Sequence, residues 1–219
     1  MRPYRAADRS AVRRICFETG YMGDPVAWQW RDAESFADLF TSWYTDHEPG
    51  SALVAELDGE VVGYLLGCCD SRTVTPPTSQ MGRHLLRRGL LVRPGTAPVL
   101  WRSIADLAGA ALHRHLPEAG FHDDRWPAHL HIDLDPIARG HGVGRRLMHR
   151  WLDALRTDGI AGCHLETWAE NHGAIAFFQA MGFERRGEPV PMPGLRSPEG
   201  GRHHTQLMVQ SLTPSGNAP

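Results

Sequence analysis

The stretch Leu130-His131-Ile132-Asp133-Leu134-Asp135-Pro136-Ile137-Ala138-Arg139-Gly140-His141-Gly142-Val143-Gly144-Arg145-Arg146-Leu147-Met148 decides how this chain is read. Its apolar residues alternate up to Pro136, as one face of a strand requires. After Gly142 they recur at Val143, Leu147, Trp151, Leu152 and Leu155, the spacing of one helix face. The pattern predicts a strand, a glycine-rich turn, and a helix that opens directly from the turn. Such a helix start leaves backbone N–H groups without intrahelical partners, with the positive end of the helix dipole behind them. Glycine lets a ligand come close to the backbone, so the turn reads as a phosphate cradle.

Spacing removes two familiar cradles. A Walker loop ends in Gly-Lys-Ser/Thr, whereas Gly144 is followed by Arg145-Arg146. The dinucleotide fingerprint G-x-G-x-x-G needs glycine where Arg145 stands after Gly140 and Gly142. What remains is Arg139-x-x-Gly142-x-Gly144. A second block follows at the distance of one helix. Cys163–Trp168 reads as a strand, Asn171 can cap a helix carrying Ile175, Phe177, Phe178 and Met181, and Gly182 stops it.

Together the two blocks, residues 130–183, resemble the GCN5-related N-acetyltransferase (GNAT) family. The first matches its Arg/Gln-x-x-Gly-x-Gly/Ala signature, and the second its closing motif, ending in Gly182-Phe183. The opening Arg2–Arg9 and the strand Leu130–Leu134 also resemble the bacterial branch similar to the acetyltransferase-like domain of O-GlcNAcase. The resemblance implies an α/β (mixed α+β) fold. Its central twisted sheet would be mostly antiparallel, of about seven strands with flanking helices, splayed between the strands at 128–135 and 162–168. It implies acetyl-CoA as co-substrate, a primary amine as acceptor and no metal; direct transfer is expected because no cysteine falls in either block except Cys163, on the far side of Glu166. Homodimers are frequent in the family.

The resemblance also carries roles onto single residues. Backbone amides of Arg139, Gly140, His141, Gly142, Val143 and Gly144, helped by Arg145, would hold the pyrophosphate of coenzyme A. The Leu134 N–H would meet the thioester carbonyl. Asn171 would cap its helix and bond the pantetheine arm. Glu166, five residues before Asn171, matches the position of a glutamate in members similar to the ribosomal-protein alanine acetyltransferases and is the candidate base; many members carry a polar residue there without catalytic duty. Phe178 stands on the cofactor side where many relatives place a tyrosine whose hydroxyl protonates the departing thiolate, a proton phenylalanine cannot donate. That departure keeps a second reading open, a non-catalytic acyl-CoA-binding module. A third is transfer of a longer acyl chain.

Composition sets the frame for these readings. The chain has 219 residues, 42% hydrophobic and 22% charged, and a formal net charge of −2, which excludes a broadly basic nucleic-acid surface. No stretch has the length of a membrane span, and the N-terminus lacks a signal-peptide pattern. Cys16, Cys68, Cys69 and Cys163 form no CxxC pair, so a reducing cytoplasm is expected. Residues 1–212 read as a single acetyltransferase domain and 213–219 as a disordered tail. Ala52–Leu57 and Glu60–Cys68 read as a hairpin turned at Asp58-Gly59. Asp8 could cap the first helix, and residues 24–45 are rich in aromatics. An insertion at about 70–127 carries an amphipathic helix through Leu100, Ile104, Leu107, Ala111 and Leu112, and Pro189–Gly201 reads as a second insertion. His129, His131, Asp133 and Asp135 share one strand face and mimic a metal-ligand array without a completing cluster. Hydrogen-bonded core roles suit them better, with His131 and Asp133 as candidate acceptor contacts. His203-His204 reads as surface.

Overall fold

The computed structural model describes residues 1–74, 77–113 and 120–212. The expected tail 213–219 lies outside the described residues. In chain order the main elements are β1 (Arg2–Pro3), α1 (Arg9–Thr19), α2 (Ala33–Ala37), α3 (Trp43–His47), β2 (Ala52–Leu57), β3 (Glu60–Cys68), α4 (Pro77–Arg87), α5 (Ala97–Leu112), β4 (Ala128–Leu134), α6 (Val143–Thr157), β5 (Gly162–Trp168), α7 (His172–Ala180), β6 (Glu184–Arg185), β7 (Val190–Arg196) and β8 (Arg202–Ser211). A π-helical turn at Asp38–Ser42 joins α2 to α3. Among the described residues no helix is long and apolar enough to cross a membrane.

The strands form one eight-stranded sheet in the order β1-β2-β3-β4-β5-β8-β6, with β7 also on β8. Every pairing is antiparallel except β4 with β5. The expected fold class therefore stands, with eight strands where about seven were expected. The extra strand is β7, cut from the segment read as a second insertion. It tolerates Pro191 and Pro193 because it lies at the edge of β8 and pairs irregularly between Pro191 and Arg196.

The β2–β3 hairpin turns at Asp58 (φ 51°) and Gly59 (φ 87°), the left-handed pair that a two-residue hairpin turn demands. Helix α6 buries Val143, Gly144, Leu147, Met148, Trp151, Leu152 and Leu155 on one face of the sheet. These join Leu130, Cys163, Leu165, Ile175, Phe178 and Phe183 in the largest apolar cluster. Each large apolar side chain so buried contributes roughly 1.5–3 kcal/mol. The other face carries α1 and the 33–47 helical stretch, with Val12, Ile15, Trp43 and Tyr44 on Val54, Tyr64 and Leu66. Asp8 sits at the α1 N-cap, but its carboxylate is taken by the Arg2 guanidinium (2.7 and 2.8 Å) and the Arg5 N–H, so it does not cap the helix.

The first insertion is packed in its described parts. Leu90, Val99 and Leu100 join Val26 and Trp30 in a third cluster. Asp106 of α5 accepts from Gly194 N–H (2.8 Å) and pairs with Arg196 (2.7 Å), which ties the insertion to β7.

Candidate active site

β4 and β5 pair only at Ala128–Cys163 and His129–His164. Beyond that point β4 follows β3 and β5 follows β8, so the sheet opens into a cleft. The register decides which groups face it. Asp135 N–H bonds Val62 O (2.9 Å), and Leu134 lies opposite Gly63. In an antiparallel ladder hydrogen-bonded pairs alternate, so the amides of Ile132 and Leu134, past the last β4–β5 pairing, turn away from β3 toward the opening. The structure thus brings the Leu134 N–H to the cleft, together with that of Ile132, which the motif had not singled out.

At the mouth of the cleft the turn 139–142 leads into α6. Gly142 is the α6 N-cap, at φ 68°, in the left-handed region that favours glycine. The N–H groups of Gly140, His141, Gly142, Val143, Gly144 and Arg145 have no acceptor among the described residues. They stand at the positive end of a 15-residue helix. A Cβ on Gly144 would lie 3.1 Å from Leu134 Cδ1 and 3.3 Å from Phe177 Cζ, so glycine here lets helix, strand and α7 converge.

Arg139 departs from its expected role. Its backbone N–H is already bonded to Pro136 O (3.2 Å), closing a 3-10 turn, and so is not offered to a ligand. Its guanidinium instead reaches Gly23 O and Leu134 O (3.4 Å) and clamps the turn to the segment after α1. His141 bonds Arg139 O through Nδ1 (2.8 Å), and Arg145 is exposed on the first turn of α6.

Glu166 lies on β5 two residues past the last pairing with β4, opposite Leu207 of β8. Solvent reaches its carboxylate through the cleft, yet protein hems it in, and burial pushes its pKa above the ordinary glutamate range. Alternation puts His164 and Trp168 on the same face, while Cys163 and Leu165 point into the core under α6. Around that face Tyr44 Oη bonds His129 Nδ1 (2.7 Å), and Phe40 stacks on His131 at 5.9 Å.

The four-residue histidine and aspartate array separates. His129 pairs with Tyr44 and is held neutral, its pKa lowered to about 3 by burial and by His164 and His131. Asp135 caps the 136–138 turn and meets Arg14. His131 and Asp133 stay together at 3.1 Å, with Tyr64 Oη 2.5 Å from the carboxylate and Cys16 adjoining. Burial opposes charge on His131 most strongly, but Asp133 and Cys16 together outweigh it and raise the pKa to about 10. His131, Asp133 and Cys16 could together offer ligand atoms within 4.8 Å of one another, although the His131–Asp133 ion pair and Tyr64 already satisfy one another there.

Asn171 accepts from Ala174 N–H through Oδ1 (3.0 Å), which caps α7 and leaves the amide NH₂ for another partner. Phe178 is buried in the core, 5.3 Å from Phe177 and 6.1 Å from Phe183. His203, read from sequence as surface, is instead buried beneath Tyr21 and Trp168, its Nε2 3.1 Å from Tyr21 Oη. Only alternation along β8 could have signalled that inward position. Cys16, Cys68 and Cys163 are buried and Cys69 half-buried; burial raises Cys68 to about 12 and Cys69 to about 11.

The family model described as the acetyltransferase (GNAT) family matches residues 17–183. A solved structure described as SsHAT superposes with a TM-score of 0.68 at 31% identity, over 97% of this chain and 98% of that one. A GNAT superfamily phosphinothricin acetyltransferase from Sinorhizobium meliloti, in complex with acetyl-CoA, superposes with a TM-score of 0.59 at 18% identity, over 100% and 90% of the two chains. The N-alpha-acetyltransferase RimI of Mycobacterium tuberculosis is 39% identical over 56 residues, 26% of this chain and 34% of that protein. The matches span only 15 to 36% of the length of the first curated relatives.

Proposed function

The chain belongs to the acetyltransferase (GNAT) family, and from that premise we propose that it transfers the acetyl group of acetyl-CoA directly to a primary amine, with Glu166 as the base. The observation that carries this reading is the placement of Glu166 on the wall of a cleft whose mouth presents the unpaired amides of Gly140 to Arg145. Those amides and the α6 dipole suit the pyrophosphate of the co-substrate. The Asn171 amide NH₂ suits a pantetheine carbonyl. The N–H groups of Leu134 and Ile132 suit the thioester oxygen, where they would stabilise the oxyanion as the amine attacks.

In the transfer the amine nitrogen forms a bond to the acetyl carbon, its proton passes to Glu166, and the C–S bond breaks to release the thiolate. A raised carboxyl pKa fits a proton acceptor working near neutral pH. Phe178 donates no proton, and a thiolate can leave without one near neutral pH. The cysteines support direct transfer. Burial keeps them protonated, and Cys163 lies on the opposite face of β5 from Glu166. Four free thiols and this co-substrate fit a reducing cytoplasm.

Calorimetric titration with acetyl-CoA tests the cradle, and an amine panel tests the chemistry. Gly142→Trp should abolish micromolar binding. Glu166→Gln should keep binding and lose turnover by about a hundredfold or more. Tight binding with no turnover of any amine by the wild type would instead establish a non-catalytic acyl-CoA-binding module.

A further inference from the structure

On the face that carries Glu166, one turn of β5 further out, four rings meet. Tyr21 lies 5.0 Å from Trp28, 5.6 Å from Trp168 and 5.6 Å from His203, and Trp168 lies 4.8 Å from His203, all edge to face. The cluster is not sealed: Trp28 is 44% exposed. His203, 3% exposed, has no hydrogen bond at Nδ1, which points to Glu170 Oε2 at 3.4 Å. Asp24 pairs with Tyr21 through the backbone, and the Glu170 carboxylate, which accepts from His204 N–H (3.1 Å) and meets His204 Nδ1 (2.8 Å), remains partly exposed beside the rings. Arg139, which reaches the same turn, is committed to the carbonyls of Gly23 and Leu134. Aromatic faces rimmed by carboxylates are the surroundings that hold an organic cation.

We propose that the acceptor is a small amine bearing a second positive charge, and that Tyr21, Trp28 and Trp168 with the Glu170 carboxylate form the subsite for that charge. The inference rests on the acetyltransferase reading and adds the acceptor's chemistry to it. Glu166 and Trp168 are two residues apart on one strand face, so the second charge sits about 7 Å from the reacting nitrogen. A straight-chain diamine of five or six carbons spans that gap. The cation end lies against the solvent-facing side of this ring cluster, where Trp28 is exposed, while the other nitrogen, stripped of its proton by Glu166, faces the thioester.

The test uses three acceptors of equal length at saturating acetyl-CoA: hexylamine, 1,6-diaminohexane and 6-aminohexanoate. The 23 lysine-plus-arginine residues of the protein are all arginine, so no lysine of its own competes for acetyl groups. The diamine should exceed hexylamine in kcat/KM by about tenfold, a typical gain for a desolvated cation on an aromatic face, and 6-aminohexanoate should fall below both. Trp28→Leu, at an exposed position, should collapse the ratio of diamine to hexylamine kcat/KM toward one, and that ratio is the readout. Equal rates for the three, or a preference for the carboxylate, would overturn the subsite.

Binding keeps the two readings apart. Quenching of tryptophan fluorescence by 1,6-diaminohexane, with coenzyme A present, needs no turnover. Quenching that Trp28→Leu weakens, without acetylation of any acceptor, would keep the subsite and sink the enzyme reading. Acetylation of hexylamine with no diamine preference and no quenching would do the reverse.

Discussion

Glu166 is the residue on which a catalytic and a structural role make opposite predictions. Its pKa is raised in the folded protein by burial. The charged form is therefore the disfavoured one, and the folded state binds the proton more tightly than the unfolded state. The sign follows: Glu166 costs least stability at low pH and costs most once pH passes its folded pKa. Glu166→Gln removes that cost, so its Tm at pH 7 should equal or exceed that of the wild type. Activity should move the other way. The wild-type rate falls as pH drops through the raised carboxyl pKa, and this limb should vanish in Glu166→Gln, leaving only the limb set by the amine's own ionisation. A lower Tm together with an unchanged pH–rate profile would make Glu166 a structural residue and remove it from the chemistry.

Strands and helices differ in how far they can be read from sequence, and two glycines show why packing decides the rest. A Cβ at Gly67 on β3 would lie 2.4 Å from the Trp151 ring of α6, so Gly67→Ala must displace a buried indole and should cost about 1–3 kcal/mol in denaturant unfolding. Gly144→Ala meets only contacts of 3.1 and 3.3 Å to side-chain ends and should cost less than about 1.5 kcal/mol. A reversal of that order would mean α6 does not seat on β3 as described. Helix α6, helix α7 with its Asn171 cap, and the hairpin at Asp58-Gly59 were legible because each is specified within a dozen residues, by periodicity and by a turn or cap. β7 was not. Pro191, Pro193 and Gly194 fall in the segment read as a second insertion, and what makes them a strand is an edge position on β8 and the grip of Asp106, some 90 residues upstream. The glycine turn and its unpaired amides were legible from Gly140, Gly142 and Gly144. The spending of the Arg139 amide on Pro136, and the burial of His203 by Tyr21, depend on the folded chain.

Between the sheet and the α1 side, the protein holds two half-buried histidines in opposite charge states, and that contrast shapes its stability across pH. His129, lowered to about 3, folds neutral, while the same residue in the unfolded chain takes up a proton below about 6.5. Its contribution is therefore lost as pH falls from about 6.5 toward 3, because the unfolded state then binds more protons. His131, raised to about 10, folds charged against Asp133 and Tyr64. Its contribution is complete below about 6.5 and is lost as pH climbs to about 10. Stability should thus peak near pH 6.5 and decline on both sides, with about 2–4 °C of Tm for each kcal/mol lost in a protein of this size. Each arm has its own variant. His129→Gln, whose amide can still meet the Tyr44 hydroxyl, should flatten the acid arm and leave the alkaline one. His131→Gln should flatten the alkaline arm and lower the peak, since Asp133 then loses its cation. Thermal unfolding from pH 4 to 10 reads both. If the alkaline arm survives in His131→Gln, the ion pair beneath the cleft contributes nothing to the fold, and His131 is then free to serve the acceptor alone.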